Sequence, residues 1–409
     1  MRIALLSNFW YRVGGLERVM LADAAGLTER GNEVAPFASA HPLNEPTPFA
    51  EYFPPNVDHG SLGRGLGVAG KAATAARLFS NRRAASAFER FAGQFSPDVV
   101  HQHGVSRQLS PSVLERAHSL GLPTVLSLHD YSLRCPAGTL SRTGAPVCIE
   151  TSCAGHRYDR AVRFACVHDS RAASALAAVE LLAARAFRRY ERSVDLFLVP
   201  SAYVGRRMVE SGLPSDRVRV MVNAVEAPPE APHEAGSYVL AFGRLVRVKG
   251  FELVVETARQ LPEQRFIIAG GGPEQSVLEG QAAGLVNIEF SGLLGSEKIK
   301  ELVRGALAVM VPSEWPEPFG MVVLEAWRED RPVIVTRRGA LPEIVDDGRT
   351  GITIEAGDVD GAVAAVRSLA GDPGLAERLG RNGRQEVETT YSMAAHLDRL
   401  EAAYRELIG

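Results

Sequence analysis

The sequence predicts an α/β protein built as two doubly wound parallel sheets, and three observations carry that prediction. Short aliphatic or β-branched runs alternate with helix-length stretches along most of the 409 residues. The alternation stops at a Pro- and Ala-rich segment, residues 226–237, and then restarts with the same rhythm. The length suits two domains of roughly 100–200 residues each, and 46% apolar residues are enough to fill two cores.

In the first half, residues 2–6, 33–37, 98–101, 124–128, 195–199 and 217–222 read as strands. Each is too short for a helix and bounded by polar or helical segments, and a parallel sheet covered on both faces asks for such runs. Residues 16–30 and several Ala-rich, Arg-studded stretches between the runs carry helical spacing. In the second half the strand runs are 238–242, 266–269, 288–290, 308–311 and 333–336. The segment EAPPEAPHEAGS has the composition of a linker, which divides the chain into an N-terminal domain, 1–225, and a C-terminal domain, 226–391. At the end, Met393, Leu397, Leu400, Ala403, Tyr404 and Leu407 recur at helical spacing, the mark of an amphipathic helix.

Charge excludes one class of partner. With 45 Lys and Arg against 48 Asp and Glu, no nucleic acid is expected to bind by general phosphate neutralisation. No window of eighteen apolar residues predicts a membrane span. The N-terminus reads as a first strand and not as a signal peptide, so a cytoplasmic location with reduced thiols is expected.

Three stretches can carry chemistry. Gly14-Gly15 follows the first strand and precedes the first helix, where a Gly pair lets backbone approach a ligand and the helix N-terminus offers N–H groups to a phosphate. A plain tight turn explains the pair equally well, because the third Gly of a dinucleotide fingerprint is absent. Arg244 and Lys249 follow the strand at 238–242, so two cations stand at the C-terminal end of a parallel strand, where open α/β sheets bind ligands. They can converge on one pyrophosphate; a solvated turn is the alternative. In the third stretch a strand ends at Pro312, a Pro-rich loop carries Glu317, and a helix starts near Phe319. Phe319, Gly320, Met321 and Val322 would turn backbone N–H groups to an anion, while Glu317 and Glu325 accept hydroxyl hydrogen bonds on either side. A sugar attached to a nucleotide diphosphate satisfies all three features, although each Glu taken singly also reads as a cap or a surface charge.

Together, Arg244 with Lys249-Gly250, Glu317-Pro318-Phe319-Gly320 with Glu325, the Gly14-Gly15 loop and His129-Asp130 resemble the retaining glycosyltransferases of family 4. That family adopts the GT-B fold. The resemblance spans nearly the whole chain, and the seven residues between the two glutamates are its most specific element. It implies two Rossmann-like domains facing across a cleft, with the helix at 392–409 packing back on the N-terminal, acceptor-side domain. The implied activity moves a sugar from a UDP- or GDP-sugar to an acceptor hydroxyl, with anomeric retention and no metal required for catalysis.

Carried over residue by residue, the resemblance gives Arg244 and Lys249 the diphosphate and the departing nucleotide, and Glu317 the donor-sugar hydroxyls. The backbone from Phe319 to Val322 seats sugar and phosphate, and Glu325 binds ribose. Gly14 and Gly15 lie against the donor phosphates from the opposite domain, His129 stands beside the reacting sugar, and Gly271 and Gly272 turn near the nucleotide. One departure, Ala224 where relatives often have Gly, bears on hinge geometry. Three rivals are a non-catalytic nucleotide-sugar-binding scaffold on the same fold, a glycoside hydrolase using the carboxylate pair, and a dinucleotide-dependent oxidoreductase. Hydrolysis fits poorly with Glu325 in a helix behind an anion site, and the missing three-Gly fingerprint disfavours the oxidoreductase.

Two features fall outside this set. Cys135, Cys148, Cys153 and Cys166 lie in a Gly-, Pro- and Ser-rich stretch that a structural zinc would order. His156 and His168 are alternative ligands, an iron–sulfur cluster needs the same donors, and free thiols are the plain reading. Arg64, Lys71, Arg77, Arg82, Arg83 and Arg90, interleaved with Leu66, Val68, Leu78, Phe79 and Phe88, and then Arg185, Arg188, Arg189 and Arg192, make basic helices. These can give peripheral contact with an anionic membrane or form a solvated basic face.

Overall fold

Side chains 3 to 6, 99 to 103 and 124 to 127 are buried without interruption, so these runs have no face to give to water and pair side by side under helices. The computed structural model describes residues 1–56, 68–141, 148, 153, 157–227 and 236–409, without the side chains of 68–73. Strands β1 (Arg2–Leu6), β2 (Glu33–Phe37), β3 (Val99–His103), β4 (Thr124–Ser127), β5 (Leu196–Val199) and β6 (Val218–Val220) form one sheet in the order β2-β1-β3-β4-β5-β6. Strands β7 (Tyr238–Phe242), β8 (Arg265–Ala269), β9 (Ile288–Gly292), β10 (Ala306–Val311), β11 (Val333–Thr336) and β12 (Gly351–Ile354) form a second, in the order β12-β11-β10-β7-β8-β9. Every pairing is parallel. Strand β12 was not expected from the sequence; it is a short edge strand with its middle residues half-buried.

The final helix, Met393–Ile408, completes the first sheet's core. Leu397, Leu400, Ala403 and Tyr404 join Ile3, Leu5, Met20 and Phe37 in one apolar cluster. It crosses the helix Gly15–Glu29 so closely that a Cβ on Gly26 would stand 2.5 Å from a Leu397 methyl carbon. Arg30 and Asn32 anchor the crossing, reaching Asp398 and Glu401 at 2.6 and 2.7 Å. The chain therefore passes between the sheets twice, and the two passages run together: the Val225 N–H donates to the Tyr391 carbonyl at 3.0 Å, and Val225 bridges Ser392. No helix among the described residues is long and apolar enough to cross a membrane.

Part of the basic stretch lies within the described residues. In the helices Val68–Phe79 and Arg82–Phe95, Leu78 and Phe88 are buried and Phe79 is half-buried, so these three side chains turn towards the core. Arg82, Arg83 and Arg90 stay at the surface; Arg64 and Leu66 and the side chains of Val68 and Lys71 lie outside the described residues. Arg189 is bound to Glu115 and to the Phe79 carbonyl.

Removing a methyl-rich side chain from the returning helix opens a cavity in the first core. Leu400→Ala is expected to lower unfolding free energy by about 2–5 kcal/mol, measured by equilibrium urea titration. A change within experimental error would mean that the helix is not part of that core.

Candidate active site

Strand order reverses beside β1 in the first sheet and beside β7 in the second, and ligands of open α/β sheets bind outside the C-terminal strand ends at such points. The segments that leave those ends face one another across a cavity of about 390 Å³. Gly15, His129 and Asn223 line it from the first sheet's side, and Arg244, Lys249, Ser313, Trp315, Glu317 and the residues from Phe319 to Val322 from the second's. Gly15 is exposed, and a Cβ there would meet nothing within 4 Å.

The loop after β10 is fixed before any ligand arrives. Gly250 has φ +67 and so little room that a Cβ would stand 2.1 Å from the Pro312 carbonyl oxygen; only Gly fits where the Lys249 turn meets this loop. The Val248 carbonyl accepts the N–H groups of Glu314 and Trp315 at 3.0 and 3.2 Å. Gly339, at φ +61, backs directly onto Glu317. Glu317 is buried, accepts the Ser313 hydroxyl, and pairs with Lys249 Nζ at 2.5 Å. Lys249 also stands 5.2 Å from the centroid of the Trp315 ring. Arg244 is exposed and makes no ion pair among the described residues.

Four expected donor residues lie off the cavity wall. Glu325, in the helix Met321–Trp327, pairs with Arg18 of the opposing helix Gly15–Glu29. Gly14 caps that same helix, its N–H donating to Glu17 at 3.1 Å. Gly271 and Gly272 support the Arg244 turn from behind: the Gly271 carbonyl accepts the Leu245 N–H at 3.0 Å, and a Cβ on Gly272 would collide with Leu245 backbone. The Phe319 side chain is core, 3% exposed, so only its backbone is offered to the cavity.

Sequence reasoning missed the contacts by which the first domain grips this loop. Tyr131 donates its hydroxyl hydrogen to the Pro316 carbonyl at 2.8 Å, and Ser201 donates to the Pro318 carbonyl at 2.7 Å. Glu343 receives the Tyr203 N–H and the Arg206 guanidinium at 3.0 and 2.6 Å. His129 was expected, but not its surroundings. His101, His103, His396 and Asp23 are all buried within the adjoining network. Burial lowers His129 from 6.5 to about 4, with His396 adding repulsion against the pull of Asp23, and lowers His101 to about 3. His396 goes the other way: burial opposes its charge, yet Asp23 and the Val222 carbonyl raise its pKa.

Next to His129, Asp130 borders a second cavity of about 290 Å³ shared with Arg107, Glu180, Arg189 and Tyr190. Burial raises the pKa of both Asp130 and Glu180, although Arg107 pulls each down. Beyond lies the cysteine region. Cys135 is buried, its N–H bonded to the Tyr131 carbonyl at 2.7 Å, and Cys153 packs on Tyr158, Ala178 and Leu181. The Cys153 thiol is pushed up to about 12, by burial first and then by Cys135, Cys148 and Cys166 nearby. Among the described residues no three His, Cys, Asp or Glu side chains are arranged to hold a metal ion. His168 is exposed, and His156 lies outside the described residues.

The family described as Glycosyltransferase Family 4 matches residues 13–227, and that described as Glycosyl transferases group 1 matches residues 226–386. The chain is 30% identical over 224 residues to sulfoquinovosyl transferase SQD2 of Arabidopsis thaliana, covering 49% of this chain and 42% of that protein. It is 32% identical over 176 residues to alpha-D-kanosaminyltransferase of Streptomyces kanamyceticus, 41% of this chain and 45% of the relative. These matches thus span less than half of each relative's length. In structure it is similar to sucrose-phosphate synthase from Thermosynechococcus elongatus, with TM-score 0.69, 18% identity and coverage of 100% and 99% of the two chains. It is also similar to Anabaena HepE in complex with UDP-glucose, with TM-score 0.67, 17% identity and 99% of each chain covered. These neighbours share the GT-B fold.

The lowered histidines give stability a pH dependence. Below 6.5 an unfolded chain protonates His129 and His101, while the folded protein leaves them neutral down to about 4 and about 3, so stability falls as pH falls through that window. His396 works in the opposite sense, its contribution present below 6.5 and lost as pH rises through its raised value. The urea midpoint is expected to drop between pH 7 and pH 4.5, and less steeply in His129→Gln. An equal slope in that variant would remove the assignment.

Proposed function

Because the chain belongs to glycosyltransferase family 4, we propose that it transfers a sugar from a nucleotide diphosphate donor, a UDP- or GDP-sugar, to an acceptor hydroxyl, with retention and without a catalytic metal. One observation carries the reading: Gly15 and His129 from one sheet, and Arg244, Lys249 and Glu317 from the other, converge on a single cavity. When the bond between the anomeric carbon and the diphosphate oxygen breaks, its electron pair stays with the leaving group. Negative charge then grows where Arg244 and Lys249 can meet it, and fixed charge aimed at such a place is the strongest lever a site has.

Donor binding is an exchange of partners. The diphosphate takes Lys249 from Glu317, and the freed carboxylate, still anchored by Ser313, accepts sugar hydroxyls. Glu325 likewise leaves Arg18 for the ribose hydroxyls, which brings Arg18 and the Gly14-Gly15 turn into the phosphate field. The acceptor hydroxyl enters from the side of the cavity beside Asp130. With relatives named for sulfoquinovosyl and kanosaminyl transfer and for lipopolysaccharide core synthesis, the setting is cell-surface glycan, glycolipid or glycosylated-metabolite synthesis.

Lys249→Ala and Glu317→Ala are each expected to lower transfer at least about tenfold in protein that still folds, Lys249→Ala with some loss of stability because it leaves the buried Glu317 carboxylate without its cation. Near-wild-type turnover in both would overturn the assignment. A thermal-shift screen against UDP, GDP, ADP and their sugar conjugates reads the donor separately, since a ligand of the native state raises the melting temperature. Stabilisation without turnover would instead support a nucleotide-sugar-binding scaffold.

We further propose a structural zinc held by Cys135, Cys148, Cys153 and Cys166, whose side chains would have to draw together around it, since among the described residues no three stand arranged to hold a metal ion. Burial, and then the neighbouring thiols, push the Cys153 thiol up, and a bound dication would be the counter-charge that reverses this. About one zinc per chain is expected by elemental analysis, with thiol reactivity rising on chelation. Four freely reactive thiols and no zinc would remove it.

A further inference from the structure

His129 stands at the cleft end of a buried column of ring and carboxylate groups. Its Nε2 lies 3.3 Å from Nδ1 of His103, and the two rings lie 16° from parallel with centroids 5.4 Å apart. His103 is 2% exposed, and its other nitrogen, Nε2, has no hydrogen-bond partner among the described residues; Asp23 Oδ2 stands 3.9 Å away. Asp23, buried on the helix Gly15–Glu29, gives its other oxygen to His396 Nε2 at 2.9 Å. His396 Nδ1 in turn faces the Val222 carbonyl at 2.9 Å. Acceptors on both sides make His396 a double donor, hence the cation that balances Asp23. On the remaining side, His101 approaches His103 with a ring-centroid distance of 4.2 Å. Both of its nitrogens are occupied, by Tyr404 and Ser127 at 2.6 and 2.7 Å.

This arrangement limits where the hydrogens sit. A neutral imidazole carries one N–H, and one hydrogen occupies the space between His103 Nδ1 and His129 Nε2. A bare His103 Nε2 would set a lone pair against the Asp23 carboxylate in a buried site, where electrostatic interactions are strong. His103 therefore carries its hydrogen on Nε2, its Nδ1 accepts, and His129 must be the donor across the 3.3 Å contact. We propose that Asp23 is a positioning residue which, through His103, fixes His129 with its hydrogen on Nε2 and a bare Nδ1 offered to a substrate hydroxyl. The role of that hydroxyl rests on the glycosyl-transfer reading; the tautomer does not. The same burial that lowers His129 keeps this acceptor free of protons at neutral pH.

The tautomer is read directly in ligand-free protein carrying 15N-labelled histidine, from long-range 1H–15N correlations at pH 7.5, with His129 assigned by loss of its signals in His129→Gln. The wild type is expected to show a protonated Nε2 and bare Nδ1 at His129. Asp23→Asn is expected to mix the tautomers, lower kcat at least fivefold with donor KM little changed, and move the acid limb of the pH–rate profile downward, because the Asp23 carboxylate holds the His129 pKa up. If Asp23→Asn does not fold, His103→Phe reads the same linkage, because it keeps the Asp23–His396 pair. A wild-type His129 protonated on Nδ1, or a tautomer unmoved by both substitutions, overturns the proposal. Loss of the glycosyl-transfer reading would appear differently, as absent turnover with the tautomer as stated.

Discussion

Everything that meets at the cleft depends on the backbone of residues 312–318 being held from two sides. Pro312, Pro316 and Pro318 supply no N–H, and the carbonyls of the segment must find donors elsewhere. Within the second domain Thr336 donates to the Ser313 carbonyl at 2.5 Å. Across the cleft, Tyr131 and Ser201 donate to Pro316 and Pro318, the residues on either side of Glu317. The carboxylate is thus positioned by both domains at once. Each buried hydrogen bond adds only about 0.5–1.5 kcal/mol net, but leaving either carbonyl orphaned costs about 1–3 kcal/mol, so the grip resists slippage more than it adds stability.

The charged groups of the cleft follow a related logic. A buried carboxylate without a partner is expensive, and Glu317 and Glu325 meet that constraint with Lys249 and Arg18. Both pairings join groups that a nucleotide sugar would engage separately. Binding such a ligand would replace existing interactions instead of filling empty ones, and a ligand unable to satisfy all four groups would leave a buried charge without a partner. Arg244, solvated and without an ion pair among the described residues, is the cation with nothing to give up.

Most of the architecture was legible because strands of a covered parallel sheet make short, mostly apolar runs, and eleven such runs stand out between helical stretches, even where Arg219 or Glu289 interrupts one near a sheet edge. Strand β12 escaped because an edge strand with two half-buried residues need not look apolar. The cleft residues that Gly or Pro punctuates were legible for a local reason, since backbone demands at Gly15, Gly250 and Pro318 mark the sequence itself. Tyr131, Ser201, Arg18 and Asp23 left no such mark. Their partners are 185, 117, 307 and 373 residues away along the chain, and no local spacing encodes a contact made only by folding. Gly272 shows the converse: a Gly-rich turn was plain in the sequence, but not that a Cβ there would collide with Leu245 backbone.

The returning helix joins these constraints. It fills the first core with Leu400 and Tyr404 and places His396 between Asp23 and the Val222 carbonyl, at the point where the chain leaves the first domain. Because the outgoing segment at Val225 and the incoming one at Ser392 are joined by an isolated bridge, the two passages form one ribbon, and an opening of the cleft would bend there. The far end of that motion is the Tyr131 and Ser201 grip on the Glu317 loop. A domain rotation that preserved the ribbon would therefore have to break or remake the grip, and with it the position of Glu317 on the cavity that Gly15 and Arg244 line.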